Sequence, residues 1–232
     1  MERYKLIALD IVEGLDDNFY VLDINGLIGI NSIIQHKKEF NEEILNIFGE
    51  EVNIECSDFI KNKHEIEVKT NSNIIIQNNG FANENKLLWR KEYNLPCPKI
   101  NDEIIPHKNP NYPKYLLKPD FSFQGRGITL LNRKIEIPEN HFLEEFIPGK
   151  TIDGHCNGIR VIMIIGKKEC KPLLYLNRVC CNPILENIKE DILDEEQSLS
   201  YINNKCKPLV YFQNKDSKLK EFIKTIQIYA GY

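Results

Sequence analysis

The chain has 232 residues, of which 42% are hydrophobic and 28% charged, and its formal net charge is −4. These values are ordinary for a folded globular protein of one large domain or two lobes. Lysine and arginine are scattered without a basic stretch, which argues against a nucleic acid partner, and no apolar run is long enough to span a membrane. The seven cysteines contain no CxxC pair, so we expect free thiols and a cytoplasmic protein.

The first predicted element is a β-hairpin that carries oxygen ligands. Residues 4–12 and 19–24 are rich in β-branched and aliphatic side chains, and the turn between them is rich in Gly, Asp and Asn. Asp10 lies within the first strand, whereas Asp23 and Asn25 come at the end of the second and alternate onto one side of it. Carboxylate and amide oxygens bind hard cations, so these three side chains predict a Mg²⁺ site. The alternative is that Asp10 faces solvent and Asp23 caps a turn.

The next predicted elements are two helices separated by short strands. Residues 32–48 have apolar side chains at helical spacing and predict a helix that ends at Gly49. Two short strand-like stretches follow, at 65–69 and 73–76, among polar residues. Residues 84–93 predict a second helix, which ends before the sequence LPCP.

A predicted strand, loop and strand then form a candidate phosphate site. The strands are residues 114–118 and 127–131, and the loop between them contains PDFSFQGRG. A lysine at the end of the first strand supplies a positive charge, and glycines let backbone N–H groups approach phosphate oxygens. The candidate phosphate-binding residues are Lys118, Gly125, Arg126 and Gly127. The alternative is an ordinary β-turn with surface cations.

The strand predicted at 141–147 ends in Pro-Gly, which is typical of a hinge between lobes. Glu144 and Glu145 lie near its end. The backbone groups of Glu145 and Ile147 are candidates to bond the edge of an adenine ring. The alternative is an edge strand followed by a tight turn.

The last predicted elements are a hairpin and a helix. The hairpin strands, residues 158–166 and 172–179, carry Arg160 and Arg178, which can lie side by side and bind an anion. The alternative is a pair of surface arginines. The chain then ends with a predicted helix at 216–229, whose apolar residues lie on one face.

Together these motifs resemble those of the ATP-grasp superfamily, in a changed order. LLKPDFSFQGRGI resembles the strand and glycine-rich loop over the phosphates, FLEEFIPGK the hinge that reads adenine, and GIRVIMIIG and LNRV the arginine-bearing strands. ALDIVEG and YVLDINGLIGI resemble the two magnesium-binding strands, which in the family follow a helix at the other end of the chain. Here that helix is SKLKEFIKTIQIYAGY, so joining Tyr232 to Met1 restores the family order. The resemblance implies a circularly permuted ATP-grasp fold whose termini lie close together.

The resemblance implies an α+β fold of two lobes, whose antiparallel sheets grip a nucleotide between them. Residues 1–48 and 151–232 would form the large lobe and residues 84–150 the small lobe. Residues 49–83 would be a reduced remnant of an N-terminal substrate lobe. The segment ENKLLWRKEYNLPCP resembles the helix that carries the first ATP-contacting lysine of the family, here Lys86.

The resemblance also implies a role for each candidate residue. The residues that would bind ATP are Lys86, Lys118, Gly125, Arg126, Gly127, Glu144, Glu145 and Ile147, with Asp153 as the acid nearest the expected ribose position. The residues that would hold one or two Mg²⁺ ions are Asp10, Asp23 and Asn25. The catalytic residues would be Arg160 and Arg178, which would stabilise the transferred phosphoryl group.

The activity that this resemblance implies is an ATP- and Mg²⁺-dependent ligase. Such an enzyme phosphorylates a small-molecule or peptide carboxylate to an acyl phosphate, which an amine or similar nucleophile then attacks. A small-molecule kinase on the same fold is one alternative. A non-catalytic ATP-binding module is another, and the small size of the expected substrate lobe favours it.

Overall fold

The computed structural model describes residues 3–26, 33, 35–49, 67–69, 74–77, 85–110, 112–121, 127–183 and 209–228. These residues form a mixed α+β protein with two largely antiparallel sheets, in agreement with the expected α+β class. In chain order the strands are β1 (Arg3–Glu13), β2 (Phe19–Asn25), β3 (Glu67–Lys69), β4 (Ile75–Gln77), β5 (Tyr115–Pro119), β6 (Thr129–Leu131), β7 (His141–Glu145), β8 (Thr151–Ile152), β9 (His155–Ile165), β10 (Cys170–Pro183) and β11 (Val210–Tyr211). The helices are α1 (Lys37–Phe48), α2 (Lys86–Tyr93) and α3 (Ser217–Thr225).

The larger sheet has the strand order β11-β10-β9-β1-β4-β3, and β2 and β8 pair with β1 and β9. One edge of β1 is shared, because its residues 3–5 pair in parallel with β4 and its residues 8–13 pair with β2. β3 and β4 belong to residues 49–83, the expected remnant of a substrate lobe. The described part of that segment therefore extends the large sheet.

Both faces of the large sheet are covered by helices, which explains the nearly continuous apolar run of its central strand β1. Successive residues of β1 alternate between the two faces. The cluster on the α1 face includes Leu6, Ala8, Phe40, Ile44 and Ile162. The cluster on the α3 face includes Ile7, Leu9, Ile11, Leu219 and Ile223. The C-terminal helix thus packs on the sheet that contains the N-terminal hairpin, as the sequence predicts.

Helix α3 begins and ends for local reasons. Asp216 caps its start, because the side-chain Oδ1 accepts the backbone N–H groups of Lys218 (2.8 Å) and Leu219 (3.4 Å). The helix ends at Thr225, earlier than predicted, and Ile226 is already extended (φ −72°, ψ 112°). Ile226 and Ile228 are nevertheless buried in the same cluster, so the apolar pattern continues beyond the helix.

The smaller sheet has the order β6-β5-β7 and is antiparallel. Its strand β5 also buries alternate residues on two sides: Leu116 packs with Leu130 on one, and Leu117 with Leu143 on the other. The strand predicted at 141–147 ends at Glu145, after which the chain passes to the large sheet at Thr151. The division of the chain into two lobes stays a prediction.

Other expectations fall partly outside the described residues. The predicted meeting of Met1 and Tyr232 lies outside them, and so does the start of the helix predicted at 32–48. That helix is regular from Lys37 and ends as predicted at Gly49, whose φ of 71° suits a residue without a Cβ. None of the described helices combines the length and the apolar character needed to cross a membrane.

Candidate functional site

Asp10 and Asp23 lie directly opposite each other on the paired strands β1 and β2. The pairing shifts by one residue here, because Ile11 pairs with Val21 while Asp10 pairs with Asp23. This bulge re-aims the end of β2, and it brings the second carboxylate to the first. Asn25 lies on the same face, where its Nδ2 donates to Oδ2 of Asp10 at 3.1 Å. The predicted shared face of the three side chains is confirmed.

The carboxylate of Asp10 is held by two arginines from the neighbouring strands β9 and β10. Arg160 donates from Nε to Oδ1 and from Nη2 to Oδ2, both at 2.8 Å, and Arg178 donates from Nη1 to Oδ2 at 3.0 Å. Burial acts to raise the pKa of Asp10, but the charges and hydrogen bonds of the arginines outweigh it and lower the pKa to about 2. The two arginines therefore lie close together, as predicted, and both bind the carboxylate of Asp10.

Lys86 reaches Asp23 from the first turn of α2. Its Nζ lies 3.7 Å from Oδ2 of Asp23, while Oδ1 accepts the backbone N–H of Ile24 at 3.0 Å. The helix is fixed in place at this end, because Asn85 caps it and the backbone N–H of Lys86 donates to the carbonyl oxygen of Asp120 at 3.1 Å. Asp120 directly follows β5, so the start of α2 is attached to the smaller sheet.

A second group of charges joins α2 to the smaller sheet. The carboxylate of Glu144, on β7, accepts hydrogen bonds from Lys118 on β5 through Oε1 and from Arg90 on α2 through Oε2. Glu144 is completely buried and Lys118 is 7% exposed. Burial alone would raise the pKa of Glu144, but Lys118 and Arg90 outweigh it and lower the pKa. Burial lowers the pKa of Lys118, although Glu144 opposes that shift.

The two groups of charges form one site between the sheets, with α2 as the link. Burial raises the pKa of Asp23, and the charge of Asp10 raises it further, whereas the charge of Lys86 lowers it. The charges of Lys118 and Glu144 also act on the pKa of Asp23. Lys86 and Lys118 are both nearly excluded from water, at 9% and 7% exposure. Buried ammonium groups are costly unless anions compensate them. The arrangement is suited to a ligand that carries several negative charges.

Arg90 is the residue of this site that the sequence did not single out. It lies four residues after Lys86, so both side chains project from the same face of α2. The four-residue spacing was the one feature of the sequence that could have linked Arg90 to Lys86. It is common on helices, so it did not single out Arg90. Its partner Glu144 is 54 residues away along the chain, and only the fold brings them together.

The remaining candidate residues are distributed around this site or lie elsewhere. Gly125 and Arg126 lie outside the described residues, whereas Gly127 has a φ of 71°, which favours glycine. The backbone N–H of Glu145 donates to the carbonyl oxygen of Lys99 at 2.8 Å, and no described residue accepts the N–H of Ile147. Asp153 is exposed in the turn between β8 and β9, with a φ of 49°.

The donor set of Asp10, Asp23 and Asn25 fits a hard cation in chemistry, since it presents only oxygen ligands at one place. The described residues contain no cluster of three His, Cys, Asp or Glu side chains that could hold a metal, and this set has only two carboxylates. Both oxygens of Asp10 already accept hydrogen bonds from arginines.

Comparison with protein-family models, with curated proteins and with solved structures found no match for this chain.

Proposed function

We propose that this chain is a circularly permuted ATP-grasp enzyme, a ligase that uses Mg²⁺ and ATP to activate a carboxylate. One observation carries the proposal: Lys86 and Lys118, from a helix and from a strand of the smaller sheet, are buried at one site beside Asp23 of the larger sheet. Two buried lysines close to acidic residues of the hairpin suit a magnesium-bound triphosphate.

The phosphates of ATP would lie between the sheets, in contact with Lys86 and Lys118. Both ammonium groups are shielded from water, so their attraction for a phosphate is larger than it is at an exposed surface. The glycine-rich loop that ends at Gly127 follows Lys118 in sequence, and it would supply backbone N–H groups. Phosphoryl transfer depends mainly on such positioning and charge stabilisation.

The adenine ring would bind at the end of β7. An adenine edge needs one acceptor for its amino group and one donor for its ring nitrogen. The carbonyl of Glu145 and the backbone N–H of Ile147 are the candidates, since the N–H of Glu145 is already used by Lys99. The role of Asp153 as the ribose acid stays a prediction.

Asp23, Asn25 and Asp10 would hold Mg²⁺, which supplies charge neutralisation for the phosphate oxygens when bound. In this proposal the two arginines that hold Asp10 would lie beside the transferred phosphoryl group. We propose that Arg160 and Arg178 stabilise the transferred phosphoryl group, because one guanidinium group can donate to two phosphate oxygens at once.

The proposed reaction has two steps. A carboxylate oxygen of the substrate attacks the γ-phosphorus of ATP, the bond to the β-phosphate oxygen breaks, and ADP leaves. An amine then attacks the carbonyl carbon of the acyl phosphate, inorganic phosphate leaves with the bonding electron pair, and the amine loses a proton. The chain needs no covalent nucleophile of its own for either step.

A non-catalytic ATP-binding module is the second candidate, and one contact favours it. Asp10, a proposed metal ligand, has both oxygens engaged by guanidinium groups. A site whose acid is held permanently in this way could bind nucleotide without the metal that transfer requires.

The test measures binding and turnover separately. Isothermal titration with a non-hydrolysable ATP analogue, with and without Mg²⁺, reports binding. Incubation with ATP, Mg²⁺ and pools of carboxylates and amines, followed by assay of ADP, inorganic phosphate and coupled product, reports the reaction. Coupled product supports the ligase, and a stable phosphate ester would indicate a kinase instead. Binding without any turnover indicates the module, and absence of nucleotide binding overturns the proposal.

A further inference from the structure

Glu144 is the most buried charged group of the site, and its two oxygens have different partners. One accepts from Lys118 and the other from Arg90, and Glu144 itself is inaccessible to solvent. Its carboxylate is therefore not positioned to touch a ligand. Glu144 would therefore influence nucleotide binding through Lys118, to which it is bonded, and through its charge, which also reaches Asp23.

Both Nη atoms of Arg90 are bonded within this buried environment, whereas its Nε is buried without a partner among the described residues. Nη2 donates to Glu144 and Nη1 to the carbonyl oxygen of Pro98 at 3.1 Å. The guanidinium carbon lies 5.7 Å from the centre of the Phe142 ring, and the side chain is 8% exposed. With two nitrogens bonded to the protein and a side chain that is 8% exposed, Arg90 is a buried cation and is not placed to contact a ligand.

The consequence for Lys118 follows from the count of charges. If Lys118 were the only cation beside Glu144, the pair would be neutral, and its ammonium would be drawn towards the carboxylate. With Arg90 on the second oxygen, two cations share one carboxylate and one positive charge remains. A lysine ammonium has three N–H donors, so Lys118 can bond Glu144 and still donate to a phosphate.

We infer that Arg90 is a positioning residue for phosphate binding: it neutralises Glu144 so that the charge of Lys118 is available to the nucleotide. The inference rests on the proposed function, because it takes the ligand to be a polyphosphate. Arg90 also lies one helical turn from Lys86, so the same contact sets the spacing between the two phosphate lysines.

The test is charge compensation, with inorganic tripolyphosphate and adenosine as separate probes. Arg90→Gln should weaken tripolyphosphate and ATP binding about tenfold, the scale of one charge-assisted contact, and leave adenosine binding unchanged. The double variant Arg90→Gln/Glu144→Gln removes the carboxylate that captures Lys118. Tripolyphosphate affinity should then return to within about threefold of the wild type. Arg90→Lys keeps the charge, serves as the second variant if Arg90→Gln does not fold, and should bind almost normally.

A purely structural role gives a different pattern. Two lost contacts would weaken adenosine and tripolyphosphate alike, and the double variant would bind no better than the single one. Either result overturns the inference, and so does unchanged tripolyphosphate binding in Arg90→Gln. If the wild-type protein still binds ATP in these cases, the proposed function is not affected. A wild-type protein that binds none of the three probes overturns the proposed function and the inference with it.

Discussion

The removal of one buried charge, in Lys118→Met, is the most direct test of the proposed nucleotide site. Methionine keeps most of the aliphatic stem and removes only the ammonium, so the packing around β5 is preserved. Hydrogen bonds between charged groups contribute about 1.5–3 kcal/mol, which corresponds to a loss in ATP affinity of about 10- to 150-fold. We expect a value in this range because Lys118 is 7% exposed and little screened by water.

The effect on stability should be smaller, because two terms oppose each other. Glu144 loses the partner of Oε1, and an unsatisfied buried acceptor costs about 1–3 kcal/mol. Arg90 still compensates the charge, and the burial that lowers the pKa of Lys118 shows that the ammonium itself is held at a cost. The net change should leave Tm within about 5 °C of the wild type, given about 2–4 °C per kcal/mol for a chain of this size.

The matched control is Lys114→Met, at the residue just before β5. Lys114 is only partly buried, and its contacts to Leu131 and Phe146 are made by its backbone, which the substitution retains. Isothermal titration of both variants with ATP measures the affinities, and thermal unfolding measures their stability. Equal ATP affinity in the two variants would refute the assignment of Lys118, provided that both remain folded.

Asp23→Asn should abolish turnover and ATP-dependent Mg²⁺ binding with the fold intact, whereas the control Asp102→Asn, in an exposed ion pair, should change neither. Titration with Mg²⁺ at a saturating concentration of an ATP analogue measures the metal binding. Retained Mg²⁺ binding in Asp23→Asn would contradict the prediction. Asp10 has a pKa of about 2, below its ordinary value of 3.8, so it contributes stability above pH ~4 that is lost as the pH falls towards 2. Asp10→Asn should therefore cost about 2 kcal/mol at pH 6 and less at pH 3 in urea unfolding, and a cost independent of pH would argue against the ion pair. Asp216→Ala removes the cap of α3 and should cost about 1 kcal/mol in the same assay without changing ATP affinity.

Much of the local structure could be predicted because short-range patterns specify it. The buried strand β1, the turn after Glu13 and the helix stop at Gly49 all appear where expected. Asp23 and Asn25 share a face because they lie two residues apart on a strand. The bulge that brings Asp23 opposite Asp10 was not predicted, since the pairing register depends on both strands and not on either alone.

The partners of the charged groups could not be predicted in the same way. Asp10 was expected to be a ligand of a metal ion. Its carboxylate instead accepts hydrogen bonds from two arginines on β9 and β10, which lie 150 and 168 residues away along the chain. The strands of residues 49–83 were expected in a separate lobe, whereas β4 pairs with β1. Sequence patterns report which face a residue occupies, and they contain no information on which distant strand will lie beside it.

By itself, the sequence determined the longer strands and the helices in outline, and which polar residues interrupt their apolar patterns, because these features depend on residues close together in the chain. The tertiary structure alone decided that Lys86 and Lys118 lie near Asp23, and that Arg90 pairs with Glu144. A buried charge is stable only with compensating partners, and those partners are chosen by the packing of whole sheets and helices. The candidate residues were therefore visible in the sequence, and the network that joins them was not.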